Sequence, residues 1–232
     1  MIESGAVKVA IVYYSQTGTV HRLAEAAREG AEMTGAEVRL RRVRELAPAA
    51  AIDGKPEWRA HLDATAHIPE ATPEDLVWAD AILLGTPTRY GSIASQLQQF
   101  IDVTGPVWMR GLLNDKVYAG FTASFTAHGG QESTLLSLAH VFTHWGGILV
   151  PPGYTDPLQF QVGNPYGASF VGAGGTQPDA DHLEAASYLA RRVTVVAGQL
   201  KHGRRALTST SPTTSPSSTR LVEEHAASRN SR

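Results

Sequence analysis

The stretch Val9-Ala-Ile-Val-Tyr-Tyr-Ser-Gln-Thr-Gly-Thr-Val20 limits what this chain can fold into more than any other. An apolar run from Val9 to Tyr14 breaks into Ser15-Gln16-Thr17-Gly18-Thr19. Val20, Leu23, Ala24, Ala27 and Ala31 then fall on one helical face. Strand, hydroxyl- and glycine-rich turn, then helix is the geometry that builds a phosphate site. The helix N-terminus offers unpaired backbone N–H groups and roughly half a positive charge. Ser15, Thr17 and Thr19 add hydroxyl donors, and Gly18 lets the backbone close around an anion. Nothing in the loop is cationic, so it suits a phosphate monoester held by many neutral donors. It carries neither a Gly-Lys-Ser/Thr ending nor a G-x-G-x-x-G run, which excludes a Walker loop and a dinucleotide fingerprint. The plainer alternative is a βα turn in which Thr19 caps the helix.

The rest of the chain repeats the alternation. Glu37–Val43 alternates polar and apolar residues, as a half-covered strand near a sheet edge does. Residues 45–73 hold four prolines and predict a loop with one short helix. Thr72-Pro73-Glu74-Asp75 carries a cap, a first-turn proline and two acids, and starts another short helix. Buried-type strands follow at 80–85, 116–122 and 147–150, separated by helical stripes at Ile93–Ile101 and Leu135–Phe142. Five strands separated by helices imply a parallel sheet covered on both faces. Ligands bind such sheets beyond the carboxyl ends of the strands. Here three of those ends carry turn-type polar segments, at 15–19, 86–92 and 123–130.

Residues 151–178 interrupt the pattern with five prolines and six glycines, but Tyr154, Phe160, Tyr166 and Phe170 predict an ordered, packed loop. A final helical stripe runs from Ala186 to Leu200. The expected organisation is a domain over 1–203, with 151–178 inserted, and a tail over 204–232. Residues 208–219 are Ser, Thr and Pro throughout, a composition that predicts disorder.

Composition narrows the function. Without cysteine there are no disulfides, thiolate metal ligands or cysteine nucleophile, and no metal site is expected. No secretory signal and no apolar run long enough for a membrane span is evident, so the cytoplasm is the expected compartment. Residues 201–232 carry six Lys/Arg against two Glu, so the first 200 residues hold an excess of six acids. An acidic body argues against nucleic acid as the main partner.

Six segments in order then carry a resemblance: Tyr13-Tyr-Ser15, Gly85-Thr-Pro-Thr-Arg-Tyr-Gly91, Thr104-Gly-Pro-Val-Trp108, Gly129-Gly-Gln-Glu132, His144 before Gly146, and Asn164-Pro-Tyr-Gly-Ala168. Over residues 7 to about 201 the chain resembles the WrbA-type NAD(P)H:quinone oxidoreductases of the flavodoxin-like superfamily. That resemblance implies a five-stranded parallel sheet of order 2-1-3-4-5 with FMN at its switch point. By the same resemblance, Ser15, Gln16, Thr17, Gly18, Thr19 and Val20 hold the FMN phosphate. Thr88, Arg89 and Tyr90 lie along the isoalloxazine, and Ser124, Phe125, Thr126, Ala127, His128 and Gly129 line its pyrimidine end. His144 stands beside the flavin, Trp108 borders the substrate pocket, and Thr17 takes the place where the family often has an aromatic near the nicotinamide. Trp108 and His144 are thus the expected catalytic residues. The implied reaction is two-electron, ping-pong reduction of quinones by NADH or NADPH in a homotetramer that dissociates to dimers at low concentration. Two departures stand out. Phe125, Thr126 and His128 replace the glycines usual in the third loop, and the Ser/Thr/Pro tail has no counterpart in compact members. A flavodoxin-type single-electron carrier and a flavin-free interaction protein are the alternative readings.

Overall fold

The computed structural model describes residues 5–210. The chain opens with β1 (Lys8–Tyr13), α1 (Thr19–Glu32) and β2 (Glu37–Arg42). Three short helices follow: α2 (Ala49–Asp53), α3 (Pro56–Ala64) and α4 (Pro73–Trp78). Next come β3 (Ala81–Arg89), β4 (Ser92–Ile93), α5 (Ser95–Asp102), α6 (Gly105–Met109) and β5 (Val117–Ser124). The chain continues through α7 (Gln131–His144), β6 (Ile148–Leu149), α8 (Gln159–Val162), β7 (Ala168–Val171) and α9 (Ala180–Thr210).

The principal strands lie in the order β2-β1-β3-β5-β6, all parallel, which is the expected 2-1-3-4-5. The interior strands are apolar and buried, because helices cover both faces. Alternate residues serve the two faces. Ala10, Val12, Ile82, Leu84 and Tyr118 join one core with Leu76 of α4, Leu97 and Phe100 of α5, and Leu135, Leu138 and Phe142 of α7. At roughly 1.5–3 kcal/mol for each large side chain buried, this one cluster outweighs any surface ion pair in the molecule.

The edge strand β2 keeps its arginines half-buried by pairing them. Arg39 and Arg41 both reach Asp75 Oδ1 at 3.1 Å, and Arg39 also stacks on Trp78 at 4.0 Å. Asp75 has a second task at the start of α4, where its Oδ2 accepts the Thr72 amide at 3.1 Å. The Thr-Pro-Glu-Asp reading of that helix start is what the structure contains.

Two strands, β4 and β7, exceed the five expected. The second polar segment turns back as β4, antiparallel to β3, with Thr88 opposite Ile93. The inserted 151–178 segment contains α8 and the strand β7, which runs beside the carboxyl-terminal half of β5 from Phe121 to Ser124. The shorter β6 pairs only with Val117 and Tyr118, so the two share one edge of β5. Four residues between glycine-rich turns give too short a pattern for periodicity to reveal. Residues 45–73 hold two helices, α2 and α3, where one was expected.

Contacts divide the chain into two units, Met1–Gln199 and Leu200–Arg232, and every element of the site lies in the first. Of the segment read as tail, residues 211–232 lie outside the described residues and 204–210 form the end of α9. Among the described residues, no helix is long and apolar enough to cross a membrane.

Candidate functional site

The first loop is built by its own side chains. Ser15 Oγ accepts the Gly18 amide at 3.1 Å, and Gly18 adopts φ +103°, a left-handed conformation that suits glycine alone. Gly18, not Thr19, is the N-cap, so Thr19 is the first helical residue and its hydroxyl is spared the capping role. The amides of Thr19, Val20 and His21 therefore stand in the first turn, where no intrahelical acceptor exists. Below the loop lies a support that the sequence did not announce. His61 of α3 sits against Gly18, its Nδ1 3.6 Å from where a Cβ would lie, and its ring is 5.4 Å from that of His21. His21 Nδ1 is in turn 2.7 Å from the Tyr13 hydroxyl. Burial, helped by the neighbouring His21, pushes the His61 pKa down to about 4 against a backbone hydrogen bond to Ser15. The loop is thus propped by neutral imidazoles, and its pull on an anion comes from N–H groups and the helix dipole.

The second and third loops are fastened to each other. Thr88 Oγ1 accepts the Gly91 amide at 3.2 Å, and Thr134 Oγ1 lies 2.8 Å from Thr88 Oγ1. Ser133 Oγ donates to the Gly91 carbonyl at 2.8 Å. Gly130, the N-cap of α7 at φ +89°, lies so close that a Cβ there would come within 2.6 Å of Gly91 Cα. This clamp holds Tyr90 at φ +53°, with its ring wholly exposed. A bulky residue in that region is strained by about 1–2 kcal/mol, a feature that clusters at functional positions. Gln131 Nε2 donates to Ser124 Oγ at 2.8 Å, which fixes the start of the third loop.

One hollow of about 770 Å³ opens between these loops. Ser15, Gln16, Thr17, Thr19 and Val20 form one wall, Pro87, Thr88 and Arg89 a second, and Ala123, Ser124 and Phe125 a third. Arg89 Nη2 donates to Gln16 Oε1 at 2.8 Å and ties the first wall to the second. Sequence reasoning missed the fourth wall, made by Gly172, Gly174, Gly175 and Gln177. It is set in place by β7, and the Gly172 amide donates to the Ser124 carbonyl at 2.8 Å. Lys55 and Glu57, at the start of α3, stand at the rim.

The remaining expected residues lie elsewhere. Tyr90 lines an adjoining hollow, Thr126, Ala127 and His128 are exposed beyond Phe125, and Gly129 is half-buried with its amide on the Thr126 carbonyl. Trp108 and His144 are together, but not here. The Trp108 indole N–H donates to the His144 carbonyl at 2.8 Å, and both line a separate apolar hollow of about 350 Å³ with Ile101 and Trp145. The reason is directional. α7 starts at the third loop and His144 is its last residue, about 20 Å along the axis from Gln131 at 1.5 Å per residue. Within one chain, neither residue shares a wall with the first loop.

The family model described as NADPH-dependent FMN reductase matches residues 7–159, more than half of the chain. The chain belongs to that family. Similar members include a protein of Deinococcus radiodurans named NAD(P)H dehydrogenase (quinone), 45% identical over 192 residues, covering 82% of this chain and 96% of the relative. A protein of Aromatoleum aromaticum with the same name is 42% identical over 207 residues, covering 86% of this chain and all of the relative, at 100%. Among solved structures, a flavodoxin, WrbA-like protein from Agrobacterium tumefaciens is similar with a TM-score of 0.60 and 28% identity, covering 84% of this chain and 99% of the other. A flavodoxin from the domain Archaea shares the fold at a TM-score of 0.55 and 16% identity, covering 82% of this chain and 99% of the other. As a member of the NADPH-dependent FMN reductase family the protein is a flavin-dependent oxidoreductase whose cofactor is FMN, and its site fits that group. The first turn of α1 offers amides to a phosphate, no carboxylate stands in the first loop, and the facing loops leave a broad hollow beside it.

Proposed function

We propose that this protein is a WrbA-type NAD(P)H:quinone oxidoreductase, acting in the cytoplasm and assembled as a homotetramer that dissociates to dimers when dilute. The observation that carries the reading is the convergence of a neutral, amide-rich phosphate loop with two clamped loops around one open hollow. The names of the relatives support the substrate class.

The net reaction moves two electrons and two protons: NAD(P)H, one proton and a quinone give NAD(P)+ and a hydroquinone. Bound FMN would supply the hydride acceptor and donor. The protein's part is placement. Ser15 to Val20 hold the phosphate, while Thr88, Arg89, Ser124 and Phe125 border the ring system. Arg89 brings a positive charge to the hollow, where it favours negative charge on a reduced ring. Tyr90, preset by its clamp, offers a flat aromatic surface. Nicotinamide and quinone are both flat and take turns in the one opening.

Trp108 and His144 enter through assembly. Trp108, Met109 and Leu112 are exposed apolar side chains, and Trp108 lines the separate apolar hollow, which is natural interface material. A second copy would bring this pair to the mouth of the first copy's flavin hollow and complete the slot.

Steady-state kinetics test the reading. Double-reciprocal plots against NADPH at several quinone concentrations are expected to be parallel, with one hydroquinone formed per NADPH consumed. Intersecting lines, or a ternary complex with a dead-end nicotinamide analogue, would show two separate sites.

A further inference from the structure

Nothing in the proposed reaction calls on His61, yet its ring meets the first loop at three points. It hydrogen-bonds the backbone of Ser15, its Nδ1 lies 3.6 Å from where a Gly18 Cβ would stand, and its centroid is 5.4 Å from that of His21. These three residues open the loop, turn it and belong to the first turn of α1. The bond to Ser15 pulls the His61 pKa upward, so the imidazole is its donor.

The contact is anchored at both ends. His61 stands in the last turn of α3, whose Trp58 is buried and donates its indole N–H to Glu45 Oε2 at 3.0 Å. The same oxygen accepts the Tyr14 hydroxyl at 2.9 Å, and Tyr14 precedes Ser15 in the chain. One carboxylate thus fixes both the helix that carries His61 and the strand end that carries the loop. Between Ser15, Glu45, Trp58 and His61 only about 20 Å³ is left open, so the ring has little room to withdraw.

His61 brings no charge to the loop at neutral pH, since burial holds its pKa near 4. The charged groups that border the same gap have partners of their own. Arg42 pairs with Glu70 at 3.4 Å and donates to the Ile68 carbonyl at 3.0 Å, while Glu45 accepts from Tyr14, Trp58 and Gln96. What His61 supplies is therefore shape and one hydrogen bond. Gly18, at φ +103°, is the residue with most conformational freedom to lose when the loop closes on an anion. A loop already pressed into that shape loses less on binding and holds its ligand more tightly.

We propose that His61 is a positioning residue for the cofactor's phosphate: it holds Ser15 and Gly18 in the anion-binding shape and thereby sets a preference for FMN over riboflavin, which lacks the phosphate. The assignment rests on the first loop being the phosphate site.

Fluorescence titration of the flavin-free, full-length protein with FMN and with riboflavin tests this without turnover, since the two ligands differ only in the phosphate. The native protein should prefer FMN by more than tenfold. His61→Met fills the space without an N–H and should weaken FMN binding about tenfold, as one lost hydrogen bond would, while riboflavin affinity stays within about twofold. His61→Gln keeps a donor and should recover most of the preference. His61→Phe, which keeps the bulk of the ring, gives the same reading where the methionine variant does not fold. A preference left intact by the loss of the donor overturns the proposal, and so does an equal loss of both ligands, which would make His61 a support of the fold alone. A native protein that binds riboflavin as tightly as FMN overturns the phosphate-loop reading and the proposal with it.

Discussion

The indole of Trp108 is hydrogen-bonded to the backbone carbonyl of His144, 2.8 Å away, at the carboxyl end of α7. That bond makes the two residues one unit and joins α6 to α7 around an apolar hollow. It also places the pair at the opposite end of α7 from the third loop. Trp108→Ala should therefore act through assembly. Light scattering at micromolar concentration should show smaller particles, and the quinone KM should rise several-fold, in line with a lost aromatic contact of roughly 0.5–1.5 kcal/mol. FMN affinity measured on the isolated protomer should stay within about twofold, because the loops proposed to hold FMN line the other hollow.

At the first helical position, Thr19→Asp separates folding from cofactor binding by sign. A carboxylate in the first turn suits the helix dipole, so thermal stability should hold or rise by about 0.3–1 kcal/mol. The same carboxylate would face the FMN phosphate and should weaken binding tenfold or more. Fluorescence titration of the apoprotein beside a melting curve reads both effects. Unchanged FMN affinity would remove the first loop from the cofactor site.

Burial holds the His61 pKa near 4 in the folded protein, below its ordinary value of about 6.5. The unfolded chain therefore binds more protons between those values, and stability rises with pH across that window. Above about pH 6.5 the full stabilisation is present, and it is lost as pH falls towards 4. His21 is shifted in the same direction, chiefly by burial, and adds to the slope. Urea unfolding at pH 5 and pH 7 should show a difference that shrinks in His61→Phe, which has no proton to take up.

Tyr90→Asn replaces a strained aromatic by a residue that tolerates the left-handed region. Thermal stability should rise by up to about 1 kcal/mol, while quinone KM should also rise as the flat surface is lost. A drop in stability would mean that the tyrosine ring, and not the Thr88–Gly91 clamp, holds the turn.

Much of the chemistry-bearing layout was legible because it is local. The strand–turn–helix at Val9–Ala31 and the Thr72-Pro73 helix start need only nearest neighbours to declare themselves, and both stand as read. Apolar runs of strand length between helical stripes determined the parallel sheet, since only a sheet covered on both faces can bury strands such as β3 and β5. The resemblance carried by the Gly85–Gly91 run then fixed the order.

What tertiary structure alone decided is every relation between residues far apart in the chain. The sequence by itself determined a strand–turn–helix suited to a phosphate, the polar strand ends and a family likeness. It did not reveal that α3 docks under Gly18, because that contact depends on Trp58 finding Glu45 and leaves no periodic trace. Nor did it reveal the glycine wall at 172–175, which exists only because β7 takes the free half of the β5 edge. Trp108 and His144 make the same point: the resemblance implied a place at the substrate pocket and beside the flavin, whereas the rise of α7 sets where one chain can put them. Periodicity records which way a residue faces within its own element, while distance between elements is set by packing and direction, which a linear pattern does not encode.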